Sequence, residues 1–103
     1  MIVYNVTCNV APEVENEWLE WVDLQLNNIS KSEKTIGTSI LKLNTNSPTE
    51  EAVYALQYQI RDHNTLENFL NNEDKNLKDR INKDFGDAVI HFSSQLEIIN
   101  KYP

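Results

Sequence analysis

The opening of the chain alternates without a break. Ile2, Tyr4, Val6, Cys8 and Val10 fall on one side of an extended backbone, and Asn5, Thr7 and Asn9 on the other. Successive strand side chains point to opposite faces, so residues 1–10 are expected to form a half-buried strand with one polar side. The pattern returns at about Ala52 to Ile60. Tyr54, Leu56, Tyr58 and Ile60 there oppose Val53, Ala55, Gln57 and Gln59. A last segment, about Ala88 to Ile99, sets Ile90, Phe92, Leu96 and Ile98 against His91, Ser93, Gln95 and Glu97. With the apolar side of each strand taken as buried, the polar sides merge into one sheet face. Its candidate ligand or interface residues are Asn5, Thr7, Asn9, Gln57, Gln59, His91, Ser93 and Gln95. A solvated face ordinarily collects Lys and Glu, whereas this one is nearly free of formal charge.

Between these strands lie two helical patterns. Pro12 stands where a helix begins, followed by acids that favour a helix N-terminus. Val14, Trp18, Trp21, Val22, Gln25 and Ile29 then form one stripe, widened by Leu19 and Leu26, which predicts an amphipathic helix over about 12–28. Both Trp are expected to pack on the sheet. A second strand is expected from about Ile36 to Asn44. A turn rich in Asn, Ser and Thr, with Pro48, then joins it to residues 52–60 as an antiparallel hairpin. The second helix opens at Asp62 or Asn64, where Asn64 and Glu67 resemble a capping box. Leu66, Phe69, Leu70, Leu77, Ile81 and Phe85 form its stripe. Asn71–Asp74 has weak helix propensity and puts Glu73 on that stripe, so a break or kink is expected there. Gly86 suits the C-terminal cap.

The order is therefore βαββαβ. Hairpin pairing and right-handed crossovers turn it into a ferredoxin-like α+β sandwich, a four-stranded antiparallel sheet with two helices on one face. A chain of 103 residues, 40% hydrophobic, fits a single domain over 1–103. No run approaches the roughly 20 apolar residues of a membrane span. Met1 leads straight into strand residues with no basic leader, so a cytoplasmic location is expected. Net charge is −7, which argues against nucleic acid and anionic membranes as partners.

No phosphate loop, zinc spacing or nucleophile elbow is present, and no metal or cofactor is implied. Cys8 is the only cysteine and lies among the apolar positions of the first strand, where it reads as a small buried hydrophobe. His63 is expected to be exposed at a helix start. His91, placed on the polar face, is the candidate general base, with Asn5, Thr7 and Gln57 orienting a substrate.

The opening Met-Ile-Val-Tyr-Asn-Val-Thr, Glu17-Trp18-Leu19-Glu20-Trp21, Gln57-Tyr58 and Phe85-Gly86-Asp87 carry a resemblance over essentially the whole chain. It is to a bacterial family of domains of unknown function, about 100 residues long, of the dimeric α/β-barrel type. The resemblance implies a homodimer whose sheets face each other and can enclose a cavity for a small polar molecule. It also has departures. Family members tend to carry histidines at places that here hold Leu26, Glu73 and Ile81, and a basic residue where Ser93 follows Phe92. The first expectation is a homodimeric binding or assembly module using the polar sheet face. The alternative is an enzyme resembling the cofactor-independent monooxygenases and isomerases of this architecture, with a small polar or aromatic substrate.

Overall fold

A computed structural model describes residues 1–44 and 51–103; the turn around Pro48 lies outside them. Four strands, β1 (Ile2–Val10), β2 (Gly37–Lys42), β3 (Ala52–Ile60) and β4 (Val89–Glu97), form a sheet in the order β2-β3-β1-β4. All three neighbouring pairs are antiparallel. Helix α1 (Glu15–Ser30) follows a short 3-10 turn at Pro12–Val14. Helices α2 (His63–Phe69) and α3 (Lys75–Asp84) are joined by a π-helical turn at Leu70–Asp74. This is the ferredoxin-like sandwich expected from the element order, with the helices on one face.

The core lies between that face and the helices. β1 sends Ile2, Tyr4, Val6, Cys8 and Val10 into it, and β3 sends Tyr54, Leu56, Tyr58 and Ile60. The helices supply Trp18, Val22, Leu26 and Ile29, then Leu66, Phe69, Leu77 and Ile81. Aromatic rings knit the layers: Phe69 meets Tyr58 edge-on at 4.8 Å, and Trp18 lies 5.2 Å from Tyr54. Trp21 departs from expectation. It packs edge-on against Phe85 at 5.4 Å, beneath the Arg80 guanidinium, and so joins α1 to the end of α3.

The expected break in the second helix is the π-helical turn. Its wider turn takes in one extra residue, which shifts the inward stripe from Glu73 to Asp74. Asp74 is accordingly buried at 4% exposure, while Glu73 pairs with Lys34 at 2.7 Å. The start of α2 is capped by Asp62, whose Oδ1 accepts the Thr65 N–H at 2.8 Å. The expected Asn64 capping box does not supply this cap. That hydrogen bond holds the Asp62 carboxyl below its ordinary range.

Gly86 follows α3 with φ +54°, the left-handed conformation a C-terminal cap requires. An added Cβ would meet nothing within 4 Å, so Gly86→Ala incurs backbone strain alone. It is expected to lower stability by about 1 kcal/mol. Urea denaturation would show this as a lower midpoint at unchanged slope.

β4 corrects the sequence reading. Cys8 pairs with His91, Val6 with Ser93 and Tyr4 with Gln95. Paired residues share a face, so His91, Ser93 and Gln95 lie on the helix side of the sheet. Ile90, Phe92 and Leu96 lie on the open side, 57%, 58% and 52% exposed. As an edge strand, β4 is only partly covered by helices. Its inward side is reached mainly by α3, which offers polar partners.

Candidate functional site

The helix-free face is laid out in rows by the strand register. One row runs Leu41, Ala55, Thr7, Phe92, and the next Ser39, Gln57, Asn5, Ser94. A third runs Gly37, Gln59, Val3, Leu96, while Val53, Asn9 and Ile90 extend the face beyond the first. Of the expected site residues, Asn5, Thr7, Asn9, Gln57 and Gln59 therefore share this face, and His91, Ser93 and Gln95 do not. Phe92, Ile90, Leu96, Leu41 and Ser94 take part instead. For those of β4 the sequence signal was the alternation itself, read in the opposite phase.

None of the residues in these rows is charged. The carboxamides and hydroxyls of the middle row are flanked by apolar side chains. Asn5 Nδ2 donates to Thr7 Oγ1 at 3.0 Å, while Asn5 Oδ1 is buried with no hydrogen-bond partner among the described residues. Towards β2 the face carries an apolar groove of about 310 Å³, lined by Thr7, Leu41, Leu43, Val53 and Ala55 with Lys42 and Tyr54.

A second polar cluster sits on the opposite side of the sheet, where α3 crosses β4. Tyr4 donates its hydroxyl to Asp74 Oδ2 at 2.9 Å. The Lys78 ammonium reaches Tyr4 Oη at 2.7 Å, Ser93 Oγ at 2.6 Å and Asp74 Oδ2 at 2.9 Å. All three ammonium protons are thereby used. Burial raises the Tyr4 pKa against the opposing hydrogen bonds from Lys78 and Ser93. For Lys78, burial acts downward, but hydrogen bonds to Tyr4 and Asp74 outweigh it and hold the ammonium above its ordinary value. The cluster is thus a neutral phenol bridging an ion pair. Asp74 Oδ1 and the Tyr58 hydroxyl are buried without partners among the described residues.

His91 lies beside this cluster and donates from Nε2 to Asn82 Oδ1 at 3.0 Å. Burial, then the nearby Lys78 charge, lowers its pKa and favours the neutral ring. It is separated by the sheet from Asn5, Thr7 and Gln57, so the expected grouping of this base with those contacts is not formed. His63 is exposed and meets Glu97 at 3.1 Å. Among the described residues no three His, Cys, Asp or Glu side chains cluster as a metal ion would need. Nor is any described helix long and apolar enough to cross a membrane.

Cys8 is fully buried, and burial pushes its thiol up to about 12. A raised folded-state value means that stability is intact below the unfolded pKa and is lost as pH rises through the folded one. Between pH 9 and 12 the wild type is expected to lose roughly 1.4 kcal/mol per pH unit more than Cys8→Ala, which lacks this proton. Parallel denaturation profiles for the two proteins across that range would refute the assignment.

The sequence matches the domain of unknown function DUF4286 across residues 1–99. The chain belongs to this family. No curated protein matches it. Among solved structures, this DUF4286 chain is similar to a dimeric ferredoxin-like protein from an uncultured marine organism. The TM-score is 0.59 at 12% identity, over 98% of this chain and 97% of the other. It is also similar to an ethyl tert-butyl ether D (EthD) family protein from Bacillus halodurans, with a TM-score of 0.62 at 16% identity. That match covers 95% of this chain and 100% of the other. At such identities the likeness establishes the fold shared with the DUF4286 domain.

Proposed function

We propose that this DUF4286 chain is a single domain over residues 1–103 that acts in the cytoplasm as a homodimeric binding or assembly module. In this reading a second copy covers the helix-free sheet face. The observation that carries it is the composition of that face. In a chain where 24% of residues are charged, its rows hold none, yet Phe92, Ile90, Leu96 and Leu41 stand exposed there. Depletion of charge with aromatic and aliphatic side chains left in the open marks the centre of a protein interface. A fold neighbour described as dimeric supports the same reading.

The face also favours assembly over catalysis. Its rows contain carboxamides and hydroxyls but no titratable side chain to move a proton, since His91 points to the other side of the sheet. Light scattering at tens of micromolar is expected to give twice the 12.0 kDa chain mass. A mass of one chain at that concentration would defeat the proposal.

A further inference from the structure

We infer that the second copy docks about a two-fold axis parallel to the strands, over the seam between β3 and β1, so that each copy's Phe92 enters the other's β2-side groove. This pairing rests on the dimer reading above and goes further by fixing its geometry. A face-to-face dimer of one chain is self-complementary, so a projection on one half of the face must meet a recess on the other. Phe92 is the exposed aromatic on the β4 side, and the apolar groove of about 310 Å³ lies on the β2 side. Both belong to the same part of the register, since Leu41, Ala55, Thr7 and Phe92 are one row.

An axis along the strands turns β4 of one copy over β2 of the other and leaves every row facing itself. Phe92 then lies over the partner's Leu41. Asn5, whose Oδ1 lacks a partner within the described chain, faces the partner's Gln57. Leu96 lies over the partner's Gly37, beside the Gln59 carboxamide, whose Oε1 lies 3.6 Å from where a Gly37 Cβ would stand. Sheets stacked this way sit about 10 Å apart, with strand directions within about 30°. An axis across the strands would instead stack β2 on β2 and β4 on β4. Phe92 would then lie far from the groove, and the groove would face another β2.

The two arrangements differ at Ser39 and Ser94, both exposed and at opposite ends of the polar row. With the axis along the strands, Ser39 faces the partner's Ser94; with the axis across them, each faces its own equivalent. Ser39→Lys and Ser94→Glu are each expected to weaken dimerisation at least tenfold, by placing an unpaired charge in the interface. The double variant, and an equimolar mixture of the two singles, should recover to within about threefold of wild type. Within one chain the two positions are three strands, about 14 Å, apart. That exceeds the screening length at physiological salt, so recovery reports contact between copies.

Dimer dissociation on dilution, with circular dichroism confirming that every variant folds, is the measurement. A double variant as weak as the product of the singles, with wild type still dimeric, overturns this pairing and leaves the dimer standing. A monomeric wild type overturns both.

Discussion

Under the proposed pairing, Phe92→Glu is expected to yield a folded monomer in place of a dimer. The ring is more than half exposed in the single chain, so replacing it removes little from the monomer's own core. In the proposed dimer it would be the aromatic anchor of a recess, the kind of residue on which binding energy concentrates. Losing it and placing a carboxylate in an apolar groove should cost about 2–4 kcal/mol, roughly a 30- to 1,000-fold rise in the dissociation constant. Sedimentation across a concentration series measures this directly. Phe92→Leu keeps an apolar side chain and should retain most of the dimer. A Phe92→Glu protein that dimerises as well as wild type would remove the helix-free face from the interface. One that loses its circular dichroism spectrum would show instead that Phe92 serves the fold.

Asp74→Ala should destabilise the protein by about 2–3 kcal/mol. The carboxylate accepts from both the Tyr4 hydroxyl and the Lys78 ammonium. Its removal strands a charge whose side chain is only 23% exposed. Breaking a fully buried pair costs about 3–5 kcal/mol, and the partial exposure of Lys78 places this one lower. Asp74→Leu combined with Lys78→Met removes both charges and should return most of the loss, because apolar replacement of a buried pair is often neutral. Denaturation at one fixed protein concentration tests this, since the proposed dimerisation would make stability depend on concentration. If Asp74→Ala lay within 1 kcal/mol of wild type, the cluster would be peripheral to stability.

The sequence made the strand and helix order legible because β1 and β3 are central strands. Each has one face wholly under the helices, so Ile2 to Val10 and Ala52 to Ile60 separate cleanly into buried and open sides. The same rule misplaced β4. At the sheet edge the inward side is met by α3, whose Lys78 and Asn82 bind Ser93 and His91. Polar residues are satisfied there, and the apolar ones are left outside. Alternation reveals that a strand has two faces; it does not say which one is inward when the cover is itself polar. Five of the expected face residues consequently share the open side, and the three from β4 do not. Asp74 escaped for another reason. A helical stripe counted at 3.6 residues per turn selects Glu73, and only the wider π-helical turn brings its neighbour inward.

That turn also couples the geometry of the second helical segment to its chain length. The π geometry accommodates one residue more than a continuous α-helix would. Deleting a single residue from Leu70–Asp74 would let the segment close into one regular helix. Closing the turn to α geometry with all five residues kept would instead turn everything after it by about 100° relative to everything before it. Leu66 and Phe69 would hold their places while Leu77, Lys78 and Ile81 swung off the sheet. The phase of the π-helical turn, as much as any side chain within it, is what brings both halves of the helix onto the same core.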